Sequence, residues 1–316
     1  MYAHVTNYLR RAMLYVPASS PHMLAKSLGF TCDTVIYDLE DSVAPLAKAD
    51  ARAALKTHMN GLLAKPANIA EFAVRINSPG THDFERDVKL IPELHFVDTI
   101  VVPKVNVLGD LRTVSHALRR KENSIMREKP LRLMAMIESA RAIMNLGTIC
   151  EGPRLNGLIF AAEDFAFDLS ITRTPDLKEF LYARSAIMTA ARAKAIPNVI
   201  DLVCTEYQGE NAMEQLEREC QDGRRMGFTG KQVIHPSQIQ TVQRLFTPSI
   251  KEVDWAVRVT IAGEKAGKKK KGVLTLDGKM VDAPVLGRAK DIVNKAQKCG
   301  IDIDGLVEKW KDQGFE

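Results

Sequence analysis

The chain has 316 residues, of which 46% are hydrophobic and 26% are charged, and its formal net charge is +5. This length is enough for one large α/β domain, or for two smaller domains, with a sizeable core. The mild positive excess is spread along the chain, so it suits small anionic molecules and argues against a nucleic-acid-binding protein. The five cysteines include no CxxC pair, which excludes an ordinary zinc site and favours a reducing compartment.

The hydropathy pattern contains no apolar run of about eighteen residues, so no membrane-spanning helix is expected. The first residues carry two arginines and reach a core strand by about Ala12, which leaves little room for a signal or transit peptide. We therefore expect a protein of the cytoplasm or the mitochondrial matrix, with neither a membrane nor a nucleic acid as its partner.

Short apolar runs rich in β-branched residues alternate with helical patterns from one end of the chain to the other. The expected strands cover residues 12–17, 34–41, 71–77, 99–105, 131–139, 155–165, 197–203 and 231–236. Their apolar character is nearly continuous, which is typical of parallel strands that are covered on both faces.

Helical patterns fill the intervals between these strands. The segment SPHMLAKSLGF begins with Ser20 as an N-cap followed by a proline, and another helix is expected to open after Pro175 with acids in its first turn. Eight strands that alternate with helices predict a single (β/α)8 TIM barrel over residues 10–248. The alternative is a doubly wound open sheet, which often has a glycine-rich first turn, but LYVPASSPH contains no GxGxxG.

Residues 249–316 predict a C-terminal appendage of helix, hairpin and helix. SIKEVDWAVRVTIAGEKAG has the apolar stripe of a helix, and PVLGRAKDIVNKAQKCG predicts another. Between them, Asp277-Gly278 is a hairpin-turn signal in a segment that we expect to be an exposed flap. The basic stretch Lys268–Lys271 is interpreted as a solvated loop, with a phosphate contact as the alternative, and the last residues as a polar tail.

Polar side chains stand at the expected carboxyl ends of the strands, where the active sites of TIM barrels gather. Glu138 and Asp164 close consecutive strands, and adjacent strands lie about 4.8 Å apart. Two carboxylates there can share one Mg²⁺, which usually takes one or two carboxylates together with water and substrate. Strand alternation would point Glu163 away from the barrel axis. The alternative is that both acids pair with lysine or arginine, or cap the next helix.

Two basic side chains also close strands. Arg75 needs an anion at the barrel mouth, so it either binds substrate or forms an ion pair with Glu40 or Asp41. Lys104 suggests a Schiff-base aldolase, since buried lysines can lose their proton. The acids nearby should instead raise the pKa of Lys104, which argues against that chemistry.

Two further strand ends carry reactive residue types. His235 precedes a proline and a helix, so a structural cap and a ligand contact are both open. Cys204 ends the seventh strand without a histidine nearby in the sequence, so a catalytic thiol is not expected.

Taken in order, these segments resemble the citrate lyase beta-subunit-like family of the HpcH/HpaI aldolase superfamily. The matching segments are RRAMLYVPASSP, VIYDLEDSVAP, VRINSPG, VVPKV, MIESARAIMNL, FAAEDF, LYARSAI, IDLV and GFTGKQVIHPSQI. The last is long and specific, and the resemblance runs over residues 10–288. The segment VLTLDGKMVDAPVL is similar to that of the eukaryotic citramalyl-CoA lyases within the family.

The resemblance implies a lyase that cleaves the carbon–carbon bond of a CoA thioester, such as citramalyl-CoA or malyl-CoA, with Mg²⁺ as cofactor. The products would be a keto acid, pyruvate or glyoxylate, and acetyl-CoA, and the reverse condensation is also implied. The resemblance makes Glu138 and Asp164 the metal ligands, Arg75 a catalytic substrate contact and Asp282 the catalytic acid/base. It assigns contacts to the CoA thioester to Tyr15, Lys26, Ile234 and His235.

The resemblance also implies a homotrimer in which the appendage reaches a neighbour's site. The chain departs from the family pattern at His22, where a lysine is common, and this weakens one phosphate contact. It departs again at Ala161 and Ala162, where glycines are common, so a close backbone approach to substrate is less secure.

Two other functions stay open at this point. One is a related enzyme, either a citrate lyase subunit acting on an acyl carrier protein or a class II aldolase acting on free sugar acids. Carrier-protein subunits should not need the hairpin of the appendage, which favours free CoA. The other is a catalytically inactive barrel used for binding or assembly, against which the complete set of Glu138, Asp164, Arg75 and Asp282 argues.

Overall fold

Eight parallel strands close into a barrel, because β1 pairs with both β2 and β8. The structure is a computed structural model, which describes residues 8–268 and 273–313. The strands are β1 Ala12–Pro17, β2 Cys32–Asp38, β3 Ile69–Arg75, β4 Val97–Val102, β5 Arg132–Ile137, β6 Leu155–Phe160, β7 Asn198–Asp201 and β8 Gly230–Val233. The predicted (β/α)8 barrel is therefore confirmed.

Helices follow the strands and cover the outside of the barrel. They are α1 Pro21–Ser27, α2 Lys48–Asn60, α3 His82–Leu90, α4 Leu108–Ser124, α5 Ala140–Met144, α6 Leu146–Ile149, α7 Ala162–Leu169, α8 Leu181–Ala193, α9 Ala212–Met226 and α10 Ile239–Phe246. Ser20 caps α1 as expected, since its side chain accepts a hydrogen bond from the backbone N–H of Met23. Helix α8 begins at Leu181 after a short 3-10 turn, so the expected start directly after Pro175 is wrong.

Several strands end earlier than the sequence suggested, and the largest error is at β6. This strand ends at Phe160, and the chain enters α7 at Ala162. Glu163 and Asp164 therefore lie in the first turn of a helix, where acidic side chains are stabilised by the exposed backbone N–H groups. The expectation that strand alternation directs Glu163 is wrong for this reason.

The barrel core has two layers that are separated by the strands. Inward-facing side chains such as Met13, Ala73, Val101 and Ile159 form one buried cluster. A larger cluster lies between the strands and the surrounding helices. This arrangement accounts for the nearly continuous apolar character of the strands, because both of their faces are buried.

A buried polar group closes the barrel at the amino ends of the strands. Arg10 donates from Nε and Nη2 to the two carboxylate oxygens of Glu71, both at 2.7 Å, and from Nη1 to Asn156 at 2.5 Å. Thr34 also donates to Glu71, at 3.0 Å. Burial raises the pKa of Glu71, but the charge and hydrogen bonds of Arg10 outweigh it and hold the pKa below its ordinary value. Both partners are therefore charged in the barrel floor.

The remaining helices and strands belong to a second compact unit, which is divided from the barrel unit between Phe246 and Thr247. They are α11 Ile250–Lys268, β9 Leu274–Leu276, β10 Lys279–Val281, α12 Ala283–Lys298 and α13 Ile303–Trp310. The predicted hairpin is present, and its turn residues Asp277 and Gly278 both have positive φ, 52° and 70°. Such a turn matches the twist of the two strands.

Two expectations about the appendage are wrong. The hairpin is not an exposed flap on both faces, because Leu274, Leu276 and Val281 are buried among apolar residues of α11 and α12. The expected polar tail is wrong for residues 303–310, because α13 buries Ile303 in an apolar cluster with α11. Within the basic stretch, residues 269–271 lie outside the described part of the chain. No helix among the described residues is long and apolar enough to cross a membrane.

We predict that Glu71→Gln lowers the free energy of unfolding by about 3–5 kcal/mol, because it leaves the Arg10 guanidinium buried without its counter-ion. Urea unfolding curves measure this loss. The matched control is Glu214→Gln, since the Glu214 side chain is 67% exposed and pairs with Arg218 at 3.3 Å on a helix surface. That substitution should cost less than about 1 kcal/mol. Equal losses in the two variants would contradict the assignment of the floor pair as a stability determinant.

Candidate active site at the carboxyl ends of the strands

Arg75, the last residue of β3, is held by the last residue of β2. Its Nε and Nη2 atoms donate to the two carboxylate oxygens of Asp38 at 2.7 and 2.6 Å. Its Nη1 atom lies 3.3 Å from Glu40 and 3.7 Å from Asp41. The ion-pair interpretation of Arg75 is therefore correct, but the principal partner is Asp38, which the sequence did not single out.

Asp38 is itself fixed by the chain that follows it. It accepts hydrogen bonds from the backbone N–H of Glu40 at 2.9 Å and from the Ser42 hydroxyl at 2.5 Å. Burial raises the pKa of Asp38, but the hydrogen bonds and charge of Arg75 outweigh it, so the pKa lies below its ordinary value. The ionised carboxylate of Asp38 is held in place by these bonds and in turn orients the Arg75 guanidinium. Arg75 also lines the cavity at the barrel mouth.

Glu138 follows β5 directly and is only 5% exposed. Burial raises its pKa to about 8, and the charges of Asp164 and Glu40 add to the increase. The backbone N–H of Lys104 donates to its Oε1 atom. A carboxyl that is buried close to other carboxylates is stabilised as an anion only when a cation is added beside it.

Glu138 and Asp164 are close enough for the charge of Asp164 to act on Glu138, as two ligands of one hard cation must be. Among the residues that the structure describes, no group of three or more histidine, cysteine, aspartate or glutamate side chains could hold a metal. Zinc and calcium sites built only from protein ligands need such a group, whereas Mg²⁺ commonly takes one or two carboxylates and fills its shell with water and substrate. The excess negative charge around Glu138 agrees with this type of site.

Lys104 lies at the same rim in a left-handed backbone conformation, with φ of 53°. Its Nζ atom is 3.1 Å from Glu40 Oε1. Burial lowers the pKa of Lys104, but the hydrogen bond and charge of Glu40 outweigh it and raise the pKa above its ordinary value. A Schiff base requires a neutral amine, so these contacts argue against Schiff-base chemistry at Lys104.

Two adjoining cavities open at this end of the barrel. The inner cavity, of about 270 Å³, is lined by Arg75, Asp164 and the apolar side chains of Met136 and Val203. The outer cavity, of about 300 Å³, is mostly apolar. Its lining includes Leu14, His22, Met23, Lys26, Phe30, His235 and Pro236.

Tyr15 lies between the two cavities, because it lines both of them together with Pro17 and Ile234. Its hydroxyl donates to Gln232 Oε1 at 3.0 Å, and its ring centroid lies 5.0 Å from the Arg75 guanidinium carbon. Burial raises the pKa of Tyr15, so the phenol stays protonated. The expected thioester contacts Tyr15, Lys26, Ile234 and His235 therefore share one cavity wall.

His235 has the structural role that the sequence left open. It is the N-cap of a short 3-10 turn, and its Nδ1 atom accepts from the backbone N–H of Ser237 at 3.3 Å. Its ring also stacks on Tyr207, with centroids 4.9 Å apart. Since His235 also lines the outer cavity, the cap does not exclude a ligand contact.

Asp282 belongs to the second unit, where it caps α12. Its Oδ1 atom accepts from the backbone N–H of Val285 at 3.1 Å. Within its own unit, Asp282 therefore has a structural role as the residue that caps α12 before Pro284. A chemical role for Asp282 stays a prediction.

Sequence reasoning gave no role to three residues of this site, Asp38, Ser42 and Gln232, although Asp38 stands among the polar residues that follow the apolar run of β2. Alternation along β2 could have found Asp38, because it lies two residues after the inward-facing Ile36. The same alternation applies to Gln232, which is buried and bonds to Tyr15. No sequence signal identifies Ser42, whose bond to Asp38 depends on the tight turn after β2.

Comparisons with known proteins agree with this geometry. The family model described as HpcH/HpaI aldolase/citrate lyase matches residues 11–236, which is more than half of the chain. The chain belongs to this family. A second model, described as a C–C bond lyase of the TIM-barrel fold, matches residues 191–301.

Curated members of the family align along nearly the whole chain. Citrate lyase subunit beta of Leuconostoc mesenteroides subsp. cremoris is 34% identical over 290 residues, which cover 91% of this chain and 93% of that protein. The mitochondrial citramalyl-CoA lyase of Mus musculus is 31% identical over 297 residues, which cover 91% of this chain and 86% of that protein. Because the citrate lyase match must extend into the appendage, the hairpin does not separate these two relatives.

A solved structure shows the same fold. Protein CitE from Mycobacterium tuberculosis, in complex with magnesium, acetoacetate and coenzyme A, superimposes with a TM-score of 0.73 at 28% identity. The match covers 92% of this chain and 98% of that one. This family member therefore binds magnesium and coenzyme A on a fold that the present chain shares.

We predict that Asp38→Ala lowers the free energy of unfolding by about 3–5 kcal/mol, because Arg75 would be left buried without its main partner. Thermal unfolding of the purified variant measures the loss. Asp41→Ala is the matched control, since Asp41 lies farther from Arg75 and its side chain is 50% exposed. Its effect should stay below about 1 kcal/mol. If both variants unfold at the same temperature as the wild type, the pair of Asp38 and Arg75 does not contribute to stability.

Proposed function

We propose that this chain is a Mg²⁺-dependent lyase that cleaves a 3-hydroxyacyl-CoA thioester, such as citramalyl-CoA or malyl-CoA. The products are a keto acid, pyruvate or glyoxylate, and acetyl-CoA, and the reverse condensation uses the same site. The observation that carries this proposal is the inner cavity, where Arg75 and Asp164 face one space beside the buried Glu138. The names of the mouse relative and of the M. tuberculosis complex support it.

Glu138 and Asp164 are the residues that would hold Mg²⁺. When bound, the ion would act as a Lewis acid toward the oxygen atoms of the substrate. Since the pKa of Glu138 is raised to about 8, this carboxyl must lose its proton before it can be a ligand. The backbone N–H of Lys104 orients the carboxylate for that role.

Arg75 would stabilise the negative charge that develops during cleavage. When the hydroxyl group of the substrate gives its proton to water in the cavity, the carbon that bears it becomes the carbonyl of the keto acid, and the electrons of the broken carbon–carbon bond pass to the enolate of acetyl-CoA. A guanidinium already fixed by Asp38 needs no reorganisation as this charge forms, which is the main advantage of a preorganised cation. Asp282 is proposed to give a proton to the enolate carbon and to take it back in the condensation.

The outer cavity is proposed to bind the thioester end of CoA. Its apolar wall at Tyr15 and Ile234 suits the pantetheine chain, and the exposed Lys26 supplies positive charge for the nucleotide phosphates. These contacts lie away from the bond that breaks, so they contribute binding energy that orients the reacting end.

A citrate lyase subunit acting on a thioester of an acyl carrier protein is the second candidate. The relative from Leuconostoc mesenteroides favours it, since its identity and coverage equal those of the citramalyl-CoA lyase or exceed them. The two candidates share the same inner cavity and differ only in what the outer cavity receives. A carrier protein brings pantetheine without the nucleotide, so activity with free CoA esters separates the two.

We also propose a homotrimer, in which the appendage of one chain serves the barrel of another. The mouse relative is named as mitochondrial, and we propose the cytoplasm or the mitochondrial matrix as the compartment. None of the five cysteines, all of which the structure describes, forms a disulfide.

We predict that Glu138→Ala and Asp164→Ala each abolish turnover and lose tight Mg²⁺ binding, because one carboxylate does not retain a largely hydrated ion. Calorimetric titration with Mg²⁺ measures binding, and circular dichroism confirms that the fold is retained. EDTA should stop the wild-type reaction, and Mg²⁺ or Mn²⁺ should restore it. Full activity in EDTA would overturn the metal assignment.

We predict that the CoA esters of citramalate and malate are cleaved and that the free acids react poorly, because they lack the remote binding energy of CoA. Mass spectrometry of products from a panel of esters identifies the substrate. Tyr15→Phe and Lys26→Ala should raise KM more than they lower kcat. Equal rates with citramalate and its CoA ester would instead favour an aldolase.

We predict that Asp282→Asn lowers kcat by about 10²–10⁴-fold, with Mg²⁺ and CoA binding retained, because only the proton transfer is lost. If subunits share sites, mixing Asp282→Asn with Glu138→Ala protomers should restore part of the activity after exchange. Analytical ultracentrifugation first establishes that exchange has occurred. No recovery would mean that each chain completes its own site, and wild-type turnover in Asp282→Asn would leave this residue only as a helix cap.

A further inference from the structure

Arg173 lies in the connection between α7 and α8 and joins three separate segments of the barrel unit. Its Nη1 atom donates to Glu163 at 2.5 Å, and its Nη2 atom donates to the Val203 carbonyl at 2.9 Å and to Glu219 at 2.8 Å. Its side chain is only 16% exposed. No role was assigned to Arg173 from the sequence, and it does not line either cavity described above.

One end of this connection is anchored in the barrel wall. Glu219, on α9, is 2% exposed, and its Oε2 atom lies 2.9 Å from Lys231 Nζ in β8. These two groups form a buried ion pair. Burial raises the pKa of Glu219, but the charges of Lys231 and Arg173 outweigh it and lower the pKa. Arg173 is therefore bound to a charged group that cannot move.

The other end holds the turn of helix that carries Asp164. Glu163 is adjacent to Asp164 in the first turn of α7, and both side chains line the inner cavity together with Val203. The Glu163 side chain is 51% exposed, so it has little packing of its own to fix it. Arg173 thus ties the start of α7 to the end of β7 at the edge of the cavity.

We propose that Arg173 is the positioning residue for the metal-binding carboxylate of Asp164. This inference rests on the proposed function, because it assumes that Asp164 and Glu138 hold Mg²⁺. By clamping Glu163, Arg173 fixes the rotation of the first turn of α7 and keeps Asp164 directed toward Glu138. Residues that orient metal ligands in this way typically change metal affinity by about 10–100-fold when they are removed.

The sign of the effect separates positioning from simple electrostatics. Removing a cation near the site favours the binding of a dication, so a purely electrostatic role predicts tighter Mg²⁺ binding in Arg173→Gln. Loss of positioning predicts the opposite, a weakening of about 10–100-fold. Saturating Mg²⁺ should then restore most of kcat, since the reacting groups themselves are intact.

The experiment titrates Mg²⁺ calorimetrically into the wild type, Arg173→Gln, Arg173→Lys and Glu163→Ala. We expect weakened binding in Arg173→Gln and Glu163→Ala, and partial rescue in Arg173→Lys, whose single ammonium cannot contact all three partners. Arg173→Lys keeps the positive charge, so simple electrostatics predicts unchanged Mg²⁺ affinity for it, whereas loss of positioning predicts weaker binding. This variant decides the question if Arg173→Gln does not fold.

Arg154→Gln is the matched control, because Arg154 is 18% exposed, pairs with Glu122 at 2.7 Å and lies away from the cavity. It should lose stability without any change in Mg²⁺ affinity. Wild-type or tighter Mg²⁺ binding in Arg173→Gln would overturn the positioning role, and so would wild-type binding in Arg173→Lys if Arg173→Gln does not fold. If Asp164→Ala also binds Mg²⁺ like the wild type, Asp164 is not a metal ligand, and the proposed function rather than the role of Arg173 is contradicted.

Discussion

The bidentate ion pair between Asp38 and Arg75 determines how the mouth of this barrel is built. Both residues end a strand, and each is almost fully buried, so neither charge could be there without the other. The pair places a cation at the centre of a rim that otherwise carries Glu40, Glu138 and Asp164. It also holds that cation in place, because the chain after β2 turns back to give Asp38 three more hydrogen bonds, from the backbone N–H of Glu40 and from the backbone N–H and hydroxyl of Ser42.

The acids at the rim fall into two groups according to their partners. Asp38 and Glu163 are paired with arginine and serve to hold other groups in place. Glu138 and Glu40 have raised pKa values, because burial is only partly offset by hydrogen bonds and by the charge of Arg75. Glu138, one of the two carboxyls proposed to hold Mg²⁺, is therefore short of positive charge in the bare protein.

Sequence periodicity was sufficient to predict the fold of this chain, and the reasons are visible in its strands. Strands β1 to β7 have apolar residues on both faces, so each stood out as a continuous run, and the turn residues Asp277-Gly278 located the hairpin. Strand ends were harder to predict, because a buried strand and the first turn of a helix look alike in a segment such as FAAEDF. Asp164 was placed correctly at the rim, although it lies on a helix.

The partners within the site could not be read from the sequence. Glu40 and Asp41 were named as possible partners of Arg75 and do lie near its guanidinium, but the register of β2 and β3 adds a nearer one, Asp38. Arg173 could not be found at all, since its three partners lie far apart along the chain. Such contacts depend on which segments the closed barrel brings together, and no local pattern encodes them.

The polar floor formed by Arg10 and Glu71 has a kinetic consequence. A barrel closed at its amino end by buried charges exchanges small molecules with the solvent through its mouth alone. Both cavities open at that mouth, so substrate and products enter and leave at the same end of the barrel. Anionic molecules would therefore pass the acidic carboxylates of the rim on entry and again on release, and this repulsion would affect the rates of both steps.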